Sequence, residues 1–419
     1  MILSLDVRRA RKGDCLLLHY GSAKDPGLIL IDGGPSSVYG PSLQPRLSEI
    51  REARGLGDDD ALPIDLLLVS HVDDDHIKGI LEMTQELTTL AAEQRPLPYK
   101  IRQLWHNSFD DIIGNTPKEL LASITASHGA ASLGSDELTD EIWPETQMVL
   151  ANVSQGIRLR DDARRLKVKL NQEFKGKLVM AKGASYLDMG RKLRFTVAGP
   201  MKPELDALQK AHDKFLKEQQ AKREKAALAA FTDTSVANLS SIVVLAEVDD
   251  KRILLTGDAR GDKILQGLEM VGLLQSGETM HVDVLKVPHH GSDRNTAVVF
   301  FQRVTANHYV FSGDGEHGNP ERDTLQMLLD ARGDANLTIH LTYPVDEIDE
   351  NRRDDWIKER AKDEVRKLHK PEIKVRSPWS KKEHSLTSFF EGNKDFAEKV
   401  RTVPKKGRHV IDLLDNLTY

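Results

Sequence analysis

The run "IDLLLVSHVDDDHIKG", residues 64 to 79, constrains this chain more than any other stretch. An apolar β-type segment passes directly into three consecutive aspartates bracketed by two histidines. At the end of a buried strand such acids carry a large desolvation cost unless positive charge compensates them. "KGILEMTQELTTLAAE" follows with helical apolar spacing, so the acids sit at a strand-to-helix junction. Whatever the fold, it has to bring a compensating charge to that point.

Composition narrows what that charge can be. With 419 residues, 39% hydrophobic and 30% charged, the chain suits a large globular domain with insertions, or two or three smaller ones. No apolar run reaches the length of a bilayer span. The opening "MILSLDVRRARKGD" is too short in its apolar part for a signal peptide, and its charges follow that part. A single cysteine, Cys15, excludes an internal disulfide and a cysteine-rich zinc finger, and fits a reducing cytoplasm. A metal here would therefore be held by His, Asp and Glu. The net charge of −6 argues against a uniformly basic nucleic-acid coat, though not against a local basic groove.

The segments "ILSLDV", "DCLLLHYG" and "GLILIDGG" read as an antiparallel meander, and "PSLQPRLSEIREARGL" as a helix. "IDLLLVSH" and "YKIRQLWHN" read as further strands. From about 109 to 180 the pattern is mostly helical, with Leu159, Ala163, Leu166 and Leu170 on one face. A charged helix is expected over Pro203–Phe231, packed on one side and solvated on the other. A second strand-rich block holds "SSIVVLAEV", "KRILLTGD", "VDVLKVPHH", "HYVFSGD" and "TIHLTYP", with helices "GDKILQGLEMVGLL" and "PERDTLQMLLDA" between. Two strand-rich halves with intervening helices predict an α/β fold, an αββα sandwich. Its domain would span residues 1–345, with helical insertions at about 109–180 and 201–235. A charged extension, 346–419, would follow, with short strands near Ser385–Phe390 and Val410–Leu414.

Several strands end in ligand-type residues: "LILIDGG" in Asp32, "LLLVSHVDDDH" in His71, Asp73, Asp75 and His76, "ILLTGD" in Asp258, and "VLKVPHHGS" in His289 and His290. Ends of neighbouring strands converge even when distant in sequence. Imidazole and carboxylate together suit Zn²⁺ or Mn²⁺. Two such ions about 3.5–4 Å apart can hold a bridging hydroxide and bring the pKa of bound water toward about 7. The compensating charge is thus expected to be a pair of divalent metal ions.

"HVDDDH" resembles the H-x-[HD]-x-D-H signature of the metallo-β-lactamase fold. The wider set resembles the ComEC-type branch, the hydrolase domain of DNA-uptake competence proteins. "LDVRRARKGDCLLLHYG…LILIDGG" is similar to its "DVGQGD…IDGG" opening, and "SHVDDDHIKG" to its "SHxDxDHxGG". "NLSSIVVL…ILLTGD" and "LKVPHHGS" are similar to the later motifs of that branch. These segments spread over residues 4 to 320. The resemblance implies His71 and Asp73 on one metal, Asp75 and His76 on the second, and Asp258 as the bridge. His289 is favoured to complete the second site, with His290 orienting water or substrate; the reverse assignment is the alternative. Asp75 and His290 are thereby the expected catalytic residues, and Asp32 would brace the histidine loop from behind. Asp73 stands where many members have histidine, which enriches that side in oxygen and favours Mn²⁺.

His106 is a candidate for the substrate rim, against an ordinary polar turn. Asn238 and Ser241, at the start of the strand before Asp258, are candidates to support the site by hydrogen bonds. The tail from 374 to 408 interleaves basic residues with Trp379, Phe389, Phe390 and Phe396, a pattern suited to phosphate contact and base stacking, against a solvated charged face. The reading is a cytoplasmic metal-dependent hydrolase, a phosphodiesterase or nuclease. The alternatives are a small-molecule ester, thioester or lactam hydrolase, or a non-catalytic, metal-braced interaction subunit. Expected partners are nucleic acid or another phosphodiester, and a protein on the insertions or tail; no membrane is expected.

Overall fold

The computed structural model describes residues 1–107, 144–206, 238 and 240–419. Leucine-rich runs broken by glycine and polar turns give β1 (Ile2–Val7), β2 (Leu16–Gly21) and β3 (Pro26–Ile31), an antiparallel meander. Short parallel strands follow: β4 (Leu62–Ile64), β5 (Leu66–Leu68), β6 (Tyr99–Ile101), β7 (Gln103–Trp105) and β8 (Lys169–Leu170). The helices of this half are α1 (Gln44–Ala53), α2 (Asp74–Ala92) and α3 (Pro144–Arg165).

The second half contributes β9 (Leu187–Gly190), β10 (Leu193–Gly199), β11 (Val243–Val248), β12 (Lys251–Leu255), β13 (Met280–Lys286), β14 (Val304–Phe311) and β15 (Thr338–Leu341). Its helices are α4 (Gly261–Met270), α5 (Val298–Arg303), α6 (Arg322–Arg332) and α7 (Val345–His369). Beyond these lie α8 (Lys381–His384), α9 (Leu386–Gly392), α10 (Lys394–Ala397), β16 (Val400–Thr402) and β17 (Val410–Asp412). One sheet has the order β17-β1-β2-β3-β5-β7-β8 and the other β16-β15-β14-β13-β12-β11-β10-β9; β4 and β6 pair separately.

Both faces of each sheet are apolar, so each must be covered twice. Leu3, Leu5, Leu18, Ile29 and Leu66 of the first sheet meet Phe195, Val244, Ile253 and Val284 of the second in one core. The alternate side chains of the same strands point outward: Leu17, Leu28 and Leu67 pack on Leu47, Ile50, Ile80 and Leu159 of α1 to α3. On the far side Leu245, Leu254, Leu285 and Tyr309 pack on Ile264, Phe300, Leu325 and Ile348. The chain is α/β, with helices outside both sheets.

Two local expectations are corrected. Leu159 and Ala163 are buried on α3, but that helix ends at Arg165 and Leu170 lies in β8. Ser385–Phe390 is not a strand. The Ser385 hydroxyl accepts the Ser388 N–H and caps α9, whose Leu386, Phe389 and Phe390 are buried at helical spacing. Phe389, Phe390 and Phe396 belong to the core beneath the second sheet, so they have no free face on which a base could stack. Most of the charged helix expected over 203–231, and the first part of the 109–180 segment, lie outside the described residues.

The C-terminal segment is stitched into both sheets, β16 beside β15 and β17 beside β1. A histidine chain crosses this seam: His308 Nδ1 lies 3.0 Å from His340 Nε2, and His340 Nδ1 lies 2.8 Å from His409 Nε2. Burial, with His409, His308 and Arg401 nearby, holds the His340 pKa down to about 2. Burial also lowers His308, opposed by Asp283, and His409, opposed by Asp6. An unfolded histidine titrates near about 6.5. The unfolded chain therefore binds a proton that the native chain refuses, and stability is lost as pH falls below that value. Relative to His340→Gln, the wild type is expected to lose about 1.4 kcal/mol more per pH unit between about pH 6 and 4. Chemical denaturation at constant ionic strength reads this; parallel profiles would refute it.

Candidate metal centre

The ligand-type residues meet because the strands carrying them end on one edge of the sandwich. β3 and β5 run parallel, and so do β12, β13 and β14, placing Asp32, the 70–76 loop, Asp258, His289, His290 and Ser312 just beyond their C-terminal ends. Asp14 immediately precedes the β2 end of the meander. The loops approach backbone to backbone: a Cβ on Gly13 would lie 1.8 Å from the Asp75 carbonyl oxygen, and one on Gly79 2.0 Å from that of Gly33. After β13, His289, His290 and Gly291 take φ of 47°, 54° and 84°. That left-handed run is costly for histidine and turns consecutive imidazoles to different sides.

Asp14, His76, Asp258 and His290, all buried, offer ligand atoms within 4.8 Å of one another. His76 Nε2 and His290 Nε2 are 3.3 Å apart, and each lies 3.3 Å from an Asp258 oxygen. Asp75 lies 3.6 Å from His290 Nε2 and 3.9 Å from His76 Nε2. Around the other side of Asp258, His71 Nε2 is 3.9 Å and His289 Nε2 3.6 Å from Oδ2, with Asp73 Oδ2 3.4 Å from His71 Nε2. Asp258 thus stands between His76, His290 and Asp75 on one side and His71, Asp73 and His289 on the other.

The hydrogen bonds behind the imidazoles set which nitrogen faces inward. Asp32 Oδ1 accepts the Ser70 N–H and Oδ2 accepts the Ser70 hydroxyl, each at 2.7 Å; Oδ2 also lies 2.9 Å from His76 Nδ1. An ionised carboxylate only accepts, so His76 carries its proton on Nδ1. Ser70 spends its one proton on Asp32, so its oxygen accepts from His71 Nδ1, 3.1 Å away. His71 and His76 therefore turn Nε2 toward Asp258. The buried His71 Nε2 and Asp258 Oδ1 have no hydrogen-bond partner. Imidazole nitrogens and carboxylates converging on a carboxylate oxygen without a hydrogen-bond partner fit a bound cation, and imidazole with carboxylate is a donor set that suits Zn²⁺ or Mn²⁺.

The electrostatics mark the same point as one that draws in positive charge. Burial disfavours a charged imidazole, yet Asp258, Asp32 and Asp75 raise His76 well above its ordinary value. Asp258 and Asp14 likewise overcome burial and push His290 up to about 10. Burial works to raise Asp258, but His290, His76 and His289 hold it well below the carboxylate range.

Other expected residues fall at varying depth. Ser241 Oγ accepts the Asp258 N–H at 3.2 Å. Asn238 Nδ2 lies 3.5 Å from His289 Nδ1. His289, expected as the ligand, is a quarter exposed, whereas His290, expected beside the ligands, is 2% exposed and inside the tight cluster. His106 is buried with its main chain clamped by Asn171. From His289 a groove of about 510 Å³ opens outward, lined by Asn238, Ser292, Asn295, Arg260, Arg294, Trp356 and Trp379 among others. Sequence reasoning missed Asp14 and Lys286, whose carboxylate and ammonium meet at 2.5 Å, both nearly inaccessible. Each lies in a quoted motif, "RKGD" and "LKVPHHGS", but neither has a neighbouring pattern that marks it as chemistry-bearing.

No family model matches the chain. Over 68 residues, 16% of its length, it is 35% identical to microtubule-associated protein 1A of Homo sapiens. The same protein of Rattus norvegicus and Mus musculus matches to the same extent. The chain spans about 2% of the length of these curated relatives, which assigns it to no family.

If Asp32 sets the orientation of His76, Asp32→Asn is expected to weaken zinc binding about 10–100-fold while leaving the far-UV circular dichroism unchanged. Competition with a chromophoric chelator measures this. Wild-type affinity would show that His76 needs no such brace.

Proposed function

We propose that the chain is a metal-dependent hydrolase with the metallo-β-lactamase fold of the ComEC type, acting on phosphodiesters, nucleic acid among them. The observation that carries the reading is the inward-facing set of imidazole Nε2 atoms around the buried, partly unpartnered Asp258. His76, His290 and Asp75 would hold one divalent ion, His71, Asp73 and His289 a second, with Asp258 shared. Bound there, such ions supply a water of depressed pKa and positive charge for a phosphoryl centre.

The chain's own residues do the rest. Asp32 and Ser70 keep His71 and His76 in one tautomer, so neither imidazole must reorganise during turnover. Asp75, about a fifth exposed, would accept a hydrogen bond from the attacking water through an oxygen not engaged by the metal. Arg294, Ser292 and Asn238 line the groove together with Arg260, which is paired with Asp262, and with Glu321, Asp355 and Glu359; this polar lining suits a charged phosphodiester better than an apolar thioester. Among the described residues no helix is long and apolar enough to cross a membrane. The lone cysteine is buried and free, in keeping with the cytoplasmic setting we propose.

The test combines metal analysis of protein purified without chelators with turnover of bis-p-nitrophenyl phosphate, then of DNA and RNA, in Mn²⁺. Asp258→Ala is expected to lower turnover at least about 1,000-fold with the fold retained. Metal bound without turnover of any of these substrates would instead indicate a metal-braced scaffold, and unchanged rates in Asp258→Ala would remove the assignment.

A further inference from the structure

Lys286 ends β13, two residues before the kinked histidine turn, and its side chain is 1% exposed. Its ammonium lies 2.5 Å from Asp14 Oδ2, 3.3 Å from the Gly257 carbonyl oxygen and 3.8 Å from Asp258 Oδ1. The other oxygen of Asp14 is also taken, accepting the Ser312 hydroxyl at 2.5 Å. Ser312 Oγ in turn lies 2.9 Å from His290 Nδ1. A hydroxyl has one proton, and here it goes to Asp14, so Ser312 accepts from His290 Nδ1–H. Each bond in this line has a fixed direction: Lys286 gives to Asp14, Ser312 gives to Asp14, and His290 gives to Ser312.

The line mirrors the arrangement behind His76, where Asp32 accepts from Ser70 and from the imidazole. There the second anchor of the carboxylate is the Ser70 main-chain N–H; behind His290 it is the lysine ammonium. We propose that Lys286 is a resident cation of the centre, a positioning residue that keeps Asp14 out of the coordination sphere. Through Asp14 and Ser312 it fixes His290 with its Nε2 toward Asp258. The inference rests on the metal-centre reading and sharpens it. Although Asp14 belongs to the tight cluster by distance, both its oxygens are occupied by protein donors. The carboxylates left for metal are then Asp258, Asp75 and Asp73.

The experiment uses the full chain and Lys286→Met, Asp14→Asn, the double variant and Ser312→Ala. Thermal unfolding is expected to drop in each charge-pair single variant, which strands one buried charge, and to recover largely in the double. With zinc as the probe, the double variant should bind as many ions per chain as the wild type, about 10–100-fold more weakly. Nitrogen-15 NMR of the imidazoles should show a slowly exchanging Nδ1 proton on His290 in the wild type, lost in the double variant and in Ser312→Ala. One zinc fewer per chain in the double variant would make Asp14 a ligand and overturn the proposal. Unchanged affinity with the Nδ1 proton retained would overturn it too, leaving Lys286 a bystander. A wild type that takes up no zinc removes the metal-centre reading instead; the unfolding pattern and the Nδ1 proton, both read without metal, still decide whether Lys286 positions His290.

Discussion

Dehydrated carboxylate is the constraint on which the rest of the structure depends. Asp14, Asp32 and Asp258 are each 3% exposed or less, and Asp73 and Asp75 are largely covered. Each buried, unpaired charge costs several kcal/mol even after relaxation. The protein meets that cost in different ways at different acids. Asp32 is satisfied by a main-chain amide, a hydroxyl and an imidazole, Asp14 by an ammonium and a hydroxyl. Asp258 retains an oxygen with no hydrogen-bond partner, surrounded by imidazoles that turn Nε2 toward it. The hierarchy separates acids whose oxygens are satisfied by protein donors from one that leaves an oxygen open.

That division explains why the centre sits where it does. No single supersecondary unit could build it. The Asp32 and His76 side comes from the first sheet, the Asp258, His290 and Lys286 side from the second. The shared core of Leu5, Ile29, Phe195 and Val284 holds the two edges in register. The close approaches at Gly13 and Gly79 pull the loops within reach of one another, and any side chain there would push the acid loop off its partners. The C-terminal segment, acidic and basic by composition, contributes strands to both sheets and buried phenylalanines to the outer core. It is thereby part of the frame that sets the relative position of the two halves.

Much of the frame was legible beforehand. The strands from β1 to β3 and from β11 to β15 were visible because alternating or continuous apolar runs bounded by glycine encode burial locally. His71, Asp75, His76, Asp258 and the 289–290 pair stood out because each follows such a run directly. At Ser385–Phe390 the six residues SLTSFF fit either period, and the Ser385 cap decides for helix. The apolar periodicity that predicts Leu170 on a helical face continues past Arg165, where the helix ends.

The sequence by itself determined that polar, metal-type residues cap buried strands, since local hydrophobic patterning and residue chemistry are properties of short windows. Tertiary structure decided which of them meet. The left-handed turn at His289 and His290 sent one imidazole inward and the other to the rim. Packing of β13 against β12 and β14 brought Lys286 onto Asp14 across 272 positions of chain. Whether a buried carboxylate is neutralised by a neighbour or left open for a cation depends on distances of a few ångströms between strands far apart in sequence, and no local pattern carries that information.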